Sequence, residues 1–315
     1  MFRFGLVLAA LWLFLGVAQA QAPGPNLGNR PICPGASQIC QPIVAATIPP
    51  IAVTIPCDNV TCIAAWGMRL LKTGASLAIR ITCADTTTHD IGFSGNDLNK
   101  SAADSACSGS SAPKITTYYD QTGGSQNCTN PYAQAIAYDN TDLLNGHSVG
   151  NTTAAYCQAT LTSGITGGST ISVMYPSGSS GNNPTMWTGA NTGSSYAGLR
   201  TSSNTTTMQA FEYNYSTFLD VSGAITLSAW QVNAMSWNGT TIHDKVNGSL
   251  LAADIAGQTL SSSTTFTVAW NSGGSSSDYF VGLFADVILL ANSAANADTV
   301  ATSECGYWNI NGGTC

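Results

Sequence analysis

Few side chains in this sequence could act as acids, bases or nucleophiles. Only two of its sixteen acidic residues are glutamates, Glu212 and Glu304, and it has three histidines. The histidines lie in Thr-, Gly- and Asn-rich segments, and no Gly-x-Ser-x-Gly turn joins a strand to a helix. The Gly-rich runs lack the Lys-Ser/Thr ending of a phosphate-binding loop. The carboxyl groups are therefore the main candidates for catalysis.

Glu212 lies in residues 209–215, where aromatic and polar residues alternate. This alternation is typical of a half-buried strand. Two interpretations of Glu212 stay open, a catalytic carboxylate and an outward-pointing strand carboxylate. Asp120, in a Tyr-Asp-Gln-Thr-Gly run, is better explained as a turn residue that bonds its own backbone.

Several aromatic residues occur beside Gly and Asn, where loops are expected. Aromatic rings at loop edges can stack on sugar rings, and neighbouring amides can bond sugar hydroxyls. The candidates for a sugar-binding site are Trp187, Tyr196, Trp270 and Asn271. Packing against neighbouring loops is the alternative for each of them. Three further tryptophans lie in helix-like or strand-like patterns and are expected in the core: Trp66, Trp230 and Trp237.

The ten cysteines predict disulfides rather than a metal site. An even number of cysteines behind an export sequence is typical of a disulfide framework, whose connectivity the sequence leaves open. Local pairing predicts three bonds: Cys33–Cys40, Cys57–Cys62 and Cys305–Cys315. There is no Cys-x-x-Cys pair, so zinc is disfavoured and no metal or other cofactor is predicted.

The N-terminal region predicts export. Residues 1–20 have a basic start, a short apolar run and a small-x-small cleavage site, as in a signal peptide. Residues 21–56 are proline-rich and predict a linker or arm, so the folded domain is expected over 57–315. No later stretch is apolar enough to span a membrane. The protein is expected to be secreted, in an extracellular, periplasmic or cell-surface location.

Composition excludes one class of partner. Charged residues make up 8% of the chain, the net charge is −7, and the nine Lys and Arg are scattered singly. Nucleic-acid binding is therefore not expected, because it needs clustered basic residues to neutralise phosphates. Since 44% of the chain is hydrophobic, the composition indicates a folded protein with a Ser-, Thr-, Asn- and Gly-rich surface.

Sequence periodicity predicts an all-β fold with one or two short helices. Helices are expected over 62–71 and 294–308. Strands are expected over 77–82, 90–93, 114–119, 170–175, 207–215, 224–232, 235–237, 264–270 and 279–290. Asn-Gly at 238–239 and 247–248 predicts two hairpin turns. Turns spaced about 8–12 residues apart favour a β-sandwich, and the paired hairpins resemble a concanavalin A-like jelly roll.

A set of short motifs in residues 56–124 resembles a known family. The set includes Pro-Cys-Asp at 56–58, Arg69-Leu70, Asp-Thr-Thr at 85–87 and Tyr-Asp-Gln-Thr-Gly at 119–123. It resembles the opening of the catalytic domain of family 54 α-L-arabinofuranosidases. The resemblance implies a disulfide-stapled jelly-roll sandwich and retaining hydrolysis of terminal arabinofuranosyl groups. The same opening is similar to that of other exported or phage-tail proteins with lectin-like domains.

The resemblance also implies catalytic roles. A retaining glycosidase uses two carboxyl groups about 5–5.5 Å apart. The implied nucleophile is a mid-domain Glu, for which Glu212 is the candidate. The implied acid/base is an Asp on a Gly-rich loop before the late strand. Counting the family's spacing along this sequence leads to Trp270 or Asn271, neither of which is an acid. Asp278 is the acid in the same loop and would take the role if the loop is shifted. The family's adjacent Cys-Cys pair does not occur in this sequence.

Two functions therefore stay open, both with a polysaccharide or glycan as partner. The first is an exported arabinofuranosidase-like glycoside hydrolase. The second is a non-catalytic carbohydrate-binding, lectin-like or cell-surface structural protein on the same sandwich.

Overall fold

The computed structural model describes residues 54–108, 112–130, 132–152, 155–177, 185–189, 195–201, 206–215, 217–269, 279–291 and 294–315. The predicted signal peptide, most of the predicted linker and the predicted Cys33–Cys40 bond lie outside these residues. Those three expectations stay predictions.

The described residues form twenty strands, three α-helices and two short 3-10 helices, Tyr132–Gln134 and Ile310–Gly313. The strands are β1 (Cys62–Gly67), β2 (Leu77–Thr82), β3 (Thr88–Ser94), β4 (Asp97–Leu98), β5 (Lys114–Tyr118), β6 (Cys128–Thr129), β7 (Ile136–Leu144), β8 (His147–Asn151), β9 (Cys157–Ile165), β10 (Gly168–Pro176), β11 (Thr185–Gly189), β12 (Ser195–Thr201), β13 (Thr207–Asn214), β14 (Thr217–Ala224), β15 (Gln231–Trp237), β16 (Thr241–Val246), β17 (Ser249–Leu250), β18 (Ile255–Ala256), β19 (Ser263–Val268) and β20 (Gly282–Leu290). The helices are α1 (Pro56–Asn59), α2 (Lys100–Ala106) and α3 (Ala294–Trp308).

The strands pair antiparallel in a network that folds into two layers. One layer runs β16–β15–β10–β20–β1. The other runs β14–β13–β12–β11–β19–β9 and continues through β6, β5, β2 and β3. Strands β7 and β8 join β5 back to β20. This arrangement confirms the predicted all-β sandwich.

Aromatic side chains fill the space between the layers. Trp66 on β1 stacks on Phe266 of β19, with ring centroids 5.4 Å apart. Trp187 on β11 meets Trp237 of β15 at 5.3 Å. The predicted core positions of Trp66 and Trp237 are confirmed, since they are 1% and 0% exposed.

Both predicted Asn-Gly hairpins are present. Asn238 and Gly239 join β15 to β16, and the Asn238 side chain accepts hydrogen bonds from the backbone N–H groups of Thr240 and Thr241. Asn247 and Gly248 join β16 to β17 with φ of 49° and 77°, the left-handed pair that a type I′ turn requires. The helix predicted over 294–308 is α3.

Two predicted elements are wrong. Residues 62–67 form strand β1 instead of the first part of a helix, and α1 is a four-residue turn before it. A buried strand with apolar residues on both faces gives the same short apolar run as a helix, and the pairing of β1 with β20 decides between them. The strand predicted over 224–232 is instead the end of β14, a loop and the start of β15. Trp230 lies in that loop and is half-buried, so its predicted core position is also wrong.

Four disulfides lie among the described residues. Cys57–Cys62 and Cys305–Cys315 confirm two predicted pairs. Cys83–Cys107 and Cys128–Cys157 link positions 24 and 29 residues apart, which local pairing does not predict. The second of these bonds joins β6 to β9 within the second layer.

Helix α3 packs against β10 and β15 of the first layer. Its buried residues include Val300, Glu304 and Trp308. Across the described parts of the chain, no helix has the length and apolar character needed to cross a membrane.

Candidate functional site

Strands β12, β13 and β14 place their side chains in registered rows. Tyr196 lies opposite Tyr213, which lies opposite Phe218. Because alternate residues of a strand point to the same side, the next row on that side begins two residues along each strand. It consists of Gly198, Phe211 and Asp220, and the row after it of Arg200, Gln209 and Ser222. We name this side of the three strands the aromatic face.

Four rings form the centre of the aromatic face. Tyr196 lies 5.3 Å from Tyr213 and 5.8 Å from Phe211, measured between ring centroids. Phe211 and Phe218 are stacked at 5.4 Å with an interplanar angle of 22°. Phe211 is fully buried beneath its neighbours, whereas Phe218 is 38% exposed and both tyrosines are partly exposed. The face therefore presents three rings to solvent on a rigid base.

Glycine at position 198 leaves room for the Phe211 ring against strand β12. A Cβ at this position would stand 2.9 Å from Cζ of Phe211 and 2.7 Å from the backbone oxygen of Trp187. Contacts that short require backbone or ring displacement. Gly198 therefore allows the Phe211 ring to pack close to the backbone of β12, beneath the other aromatic side chains.

A polar edge borders the rings. The Arg200 guanidinium lies 4.5 Å from the Phe218 ring centroid, and its Nε donates a 2.8 Å hydrogen bond to Oε1 of Gln209. Gln209 Nε2 in turn donates to Oδ2 of Asp220 at 3.1 Å. A guanidinium over a ring is attracted by the ring's negative face and is oriented by it. Donors and acceptors are therefore held beside exposed ring faces, the combination that a sugar ring requires.

Glu212 lies on the opposite side of β13 from the aromatic face. Its side chain is 0% exposed, and its Oε2 accepts a 2.6 Å hydrogen bond from the backbone N–H of Gln258. Its Oε1 has no hydrogen-bond partner. Burial raises the pKa of Glu212 to about 7, against the opposing effect of the Gln258 N–H. The outward-pointing interpretation of Glu212 is wrong.

The segment after β18 covers the Glu212 carboxyl closely. A Cβ on Gly257 would lie 3.1 Å from Glu212 Oε2 and 2.9 Å from the backbone nitrogen of Thr241. The side chain of Asn214 bonds the backbone oxygen of Thr259 at 2.9 Å, which holds the same segment in place. In this conformation no sugar can contact the Glu212 carboxyl.

The other proposed catalytic residue, Asp278, lies outside the described residues. Its described neighbour Tyr279 forms a bridge with Thr185 on β11. Thr185 pairs with Arg200, which pairs with Gln209, three residues before Glu212. Spacings of about 3.3 Å per residue and 4.8 Å per strand put the Cα atoms of Thr185 and Glu212 roughly 14 Å apart. The pairing of Glu212 with Asp278 stays a prediction.

Trp187 does not lie at a loop edge, and that prediction is wrong. It is the central residue of β11, 0% exposed, with its ring 5.3 Å from Trp237 and 5.7 Å from Phe266. A ring enclosed between two layers has no face for a sugar. Of the other predicted sugar-binding residues, Tyr196 belongs to the aromatic face, while Trp270 and Asn271 lie outside the described residues.

Two carboxyl groups meet at a different place, between β20 and α3. The indole nitrogen of Trp308 donates to Asp286 at 2.6 Å and to Glu304 at 3.0 Å. Arg69 Nη2 lies 3.1 Å from Glu304 Oε1. Burial raises the pKa of both carboxyl groups, and the Arg69 charge opposes the rise. Because both are at most 1% exposed, this cluster holds α3 on the sheet and cannot receive a substrate.

Metal binding has no candidate site in the part of the chain described. No group of three or more His, Cys, Asp or Glu side chains in those residues could hold an ion.

The fold is shared with solved arabinofuranosidase structures. An arabinofuranosidase complexed with arabinofuranosyl-α-1,2-xylobiose aligns with a TM-score of 0.61 and 16% identity. A GH54 α-L-arabinofuranosidase soaked with a cyclic sulfate inhibitor aligns at 0.58 and 16%. A Glu-to-Gln mutant of a GH54 α-L-arabinofuranosidase soaked with 4-nitrophenyl α-L-arabinofuranoside aligns at 0.58 and 15%.

Each alignment covers 79% of this chain and 64% of the other, so this chain spans just under two thirds of the length of the structures that it matches. No protein-family model and no curated protein matches the sequence. Identities of 15–16% establish a common fold and leave the family open.

Sequence reasoning found one residue of the aromatic face and missed the rest. Tyr196 is a candidate from the sequence because it stands at an expected loop edge beside Gly and Asn. Tyr213 and Phe218 belong to the alternating run around Glu212 and to the strand after it, and Arg200 is an isolated cation. The available signal was the Phe-x-Tyr alternation at 211–213, which places two rings on the same side of a strand.

Proposed function

We propose that this protein binds carbohydrate through the aromatic face. The observation that carries the proposal is the row of Tyr196, Tyr213 and Phe218, in which three rings are partly exposed side by side on adjacent strands. The Arg200–Gln209–Asp220 chain supplies donors and acceptors at the edge of the rings. The arabinofuranosidase fold supports carbohydrate as the ligand class, as an analogy of fold.

We also infer that the protein is exported. Four disulfides in the described residues support this, because such bonds persist in oxidising compartments. The N-terminal signal-like sequence supports it independently. A glycan in an extracellular, periplasmic or cell-surface setting is the partner that fits both inferences.

The proposal is tested by binding of the full chain to arabinan, arabinoxylan and xylan, with affinity electrophoresis and calorimetry as readouts. An aromatic contact contributes about 0.5–1.5 kcal/mol, so Phe218→Ala and Tyr213→Ala should each weaken binding by about two- to tenfold. Leu250→Ala is the matched control, because Leu250 is also apolar and 54% exposed but lies on β17. Unchanged binding in both aromatic variants, or equal loss in the control, would rule out the face.

Arabinofuranoside hydrolysis is the second candidate function, favoured by the fold match to arabinofuranosidases. Under this proposal Glu212 is the nucleophile, Asp278 is the acid/base, and the segment over Glu212 must open. Release of nitrophenol from 4-nitrophenyl α-L-arabinofuranoside by the wild-type protein, abolished in Glu212→Gln and in Asp278→Asn, would support it. If no nitrophenol is released while glycan binding is retained, hydrolysis is refuted and glycan binding stays the proposed function.

A further inference from the structure

A cleft on the first layer is separate from the aromatic face. It opens where β10 ends and β20 begins, beside the β7–β8 hairpin, and encloses about 440 Å³. Binding pockets for small molecules usually measure about 300–1,000 Å³ and combine ring faces with a few polar groups. None of the strands that form this cleft belongs to the aromatic face.

Two aromatic rings form one wall of the cleft. The centroids of Tyr175 and Trp230 lie 5.6 Å apart, and their planes meet at 56°. Both side chains are partly exposed. The rings therefore form an open angle in which a flat ligand can contact one ring with its face and the other with its edge.

The loop that carries Trp230 is held in a strained conformation. Ser228 has φ of 55°, a left-handed conformation that costs a non-glycine residue about 1 kcal/mol or more. Its N–H donates a 2.8 Å hydrogen bond to the backbone oxygen of Pro176 at the end of β10. This bond fixes the Trp230 loop against the strand that carries Tyr175. Strain of this kind is frequent at ligand sites because it holds a side chain in place before the ligand arrives.

Polar groups form the facing wall. Thr141 donates to the Asp139 carboxylate through both its N–H, at 2.9 Å, and its hydroxyl, at 2.8 Å. Asn151 Nδ2 donates to the other oxygen of Asp139 at 3.4 Å. Asp139 therefore positions Thr141 and Asn151, which both line the cleft. Ser177, directly after the end of β10, adds a third polar side chain.

The lining residues carry no charge. They comprise aromatic, aliphatic, hydroxyl and amide side chains and one glycine, without Asp, Glu, Lys, Arg or His. An anionic ligand would lose its hydration here without gaining an ionic partner, and the only charge described beside the lining, the Asp139 carboxylate, already accepts bonds from Thr141 and Asn151. A neutral ligand with an apolar face and several hydroxyl groups matches both walls.

We propose that the Tyr175–Trp230 cleft is a second carbohydrate site that takes one sugar residue of a neutral glycan. The sugar stacks on Trp230, and its hydroxyl groups bond Thr141 and Asn151. The choice of sugar as ligand class rests on the proposed function, but the location of the site does not. A chain with both sites would contact a glycan at two separate points, and linked contacts raise avidity beyond either affinity.

Tryptophan emission of the full chain, compared with that of Trp230→Phe, reports on this cleft. Of the described tryptophans, Trp66, Trp187, Trp237 and Trp308 are at most 1% exposed, whereas Trp230 is partly exposed. We expect a change in emission on titration with methyl α-L-arabinofuranoside, xylobiose or arabinotriose. The change should be lost in Trp230→Phe and kept in Phe218→Ala, which alters the aromatic face alone.

Calorimetry on the same variants gives the affinity. Trp230→Ala should weaken binding of the short sugars about tenfold, the upper end of an aromatic contact, and Trp230→Phe should retain part of it because a ring remains. Melting curves of Trp230→Phe verify the fold. A change in emission that persists in Trp230→Phe, or no change in the wild-type protein with any of the three sugars, would overturn the proposal.

The outcomes separate the two sites. Loss of polysaccharide binding in Phe218→Ala with no emission response to short sugars would leave the aromatic face as a site and refute the cleft. Loss of polysaccharide binding in Trp230→Ala, but not in Phe218→Ala, would support the cleft and refute the aromatic face. Calorimetric binding of 4-nitrophenol that is lost in Trp230→Phe, with no binding of the three sugars, would show an apolar ligand and refute the carbohydrate assignment.

Discussion

Glu212→Gln is expected to remove a pH-dependent part of the folding stability. Burial raises the folded-state pKa of Glu212 to about 7 from an ordinary value of 4.5. Between these values the folded protein holds a proton that the unfolded chain has released. The contribution of Glu212 is therefore fully present below about pH 4.5 and is lost as the pH rises through 7. Glutamine stays neutral and can still accept the Gln258 N–H.

The size of the effect follows from the two pKa values. One pKa unit corresponds to about 1.4 kcal/mol, so a shift from 4.5 to about 7 corresponds to about 3 kcal/mol. The carboxyl is 0% exposed, and solvent close to the site makes about 3 kcal/mol the upper end of the effect. For a domain of about 260 residues the same free energy changes the melting temperature by about 5 °C.

Urea unfolding with the disulfides intact, at half-unit steps from pH 4 to pH 8.5, measures the prediction. The free energy of unfolding of Glu212→Gln minus that of the wild type should rise by about 3 kcal/mol across this range. Asp220→Asn controls for the loss of one negative charge, because Asp220 lies on the neighbouring strand and on the aromatic face. Parallel curves for Glu212→Gln and the wild type would mean that the folded protein keeps Glu212 hydrated, and would refute its burial.

Three further perturbations test the scaffold. Arg69→Met removes the cation 3.1 Å from buried Glu304 and should cost about 3–5 kcal/mol in urea unfolding, with a smaller loss at acid pH, where a protonated Glu304 needs no cation. Joint replacement of Cys128 and Cys157 by alanine opens a link of 29 residues and should cost about 3–4 kcal/mol, measured in the same way. Trp187→Ala should lower the free energy of unfolding by about 3–5 kcal/mol because it leaves a cavity between the layers. The protein that remains folded should keep its affinity for glycan. A loss of affinity without a loss of stability would show that Trp187 is a sugar-binding residue.

Local chemistry made several elements predictable. An Asn-Gly pair between two strand-like runs admits few turns, so both hairpins follow from residues 238–239 and 247–248. Helix α3 contains no proline and has its buried residues at helical spacing, Ala297, Val300, Ala301, Glu304, Cys305 and Trp308, and its bounds match the prediction. These features depend on neighbours in the chain and do not need the tertiary fold.

The errors came from features that only tertiary structure decides. The run at 62–71 fits a helix and a buried strand equally well, and pairing with β20 selects the strand. The predictions for Trp187, expected at a loop edge, and Trp230, expected in the core, are wrong for the same reason. The glycine near Trp187 predicts a loop, although Trp187 lies on β11, which pairs with β12 on one side and with β19 on the other. The strand-like run around Trp230 predicts a core position, although Trp230 lies in the loop that precedes β15 and lines the cleft.

The aromatic face was predictable only in part, because it depends on register. Tyr196, Tyr213 and Phe218 are separated by 17 and 5 residues in the chain, and the pairing of β12, β13 and β14 makes them neighbours. Shifting one strand by a single residue would send its ring to the other side. Sequence alternation shows which residues share a side of one strand. It does not show which strands are adjacent.

The motif that resembles arabinofuranosidases proves to be structural. The Asp120 carboxylate accepts bonds from the N–H and hydroxyl of Thr122, as expected of a turn residue, and also from the backbone N–H of Ala65 on β1. Gln121 bonds the backbone N–H of Leu71 and the backbone oxygens of Gly67 and Arg69. The motif thus connects the end of β5 to β1 and to the chain after it.

Arg69 extends the same connection to the C-terminal helix. Its guanidinium pairs with Glu304 on α3, and the neighbouring Asp286 belongs to the central strand β20. The residues that carry the resemblance therefore join three parts of the fold through buried polar groups, where substitution of one partner leaves another unpaired. Resemblance in this segment is accordingly evidence for the shared fold, and the two proposed glycan sites, the aromatic face and the Tyr175–Trp230 cleft, lie outside it.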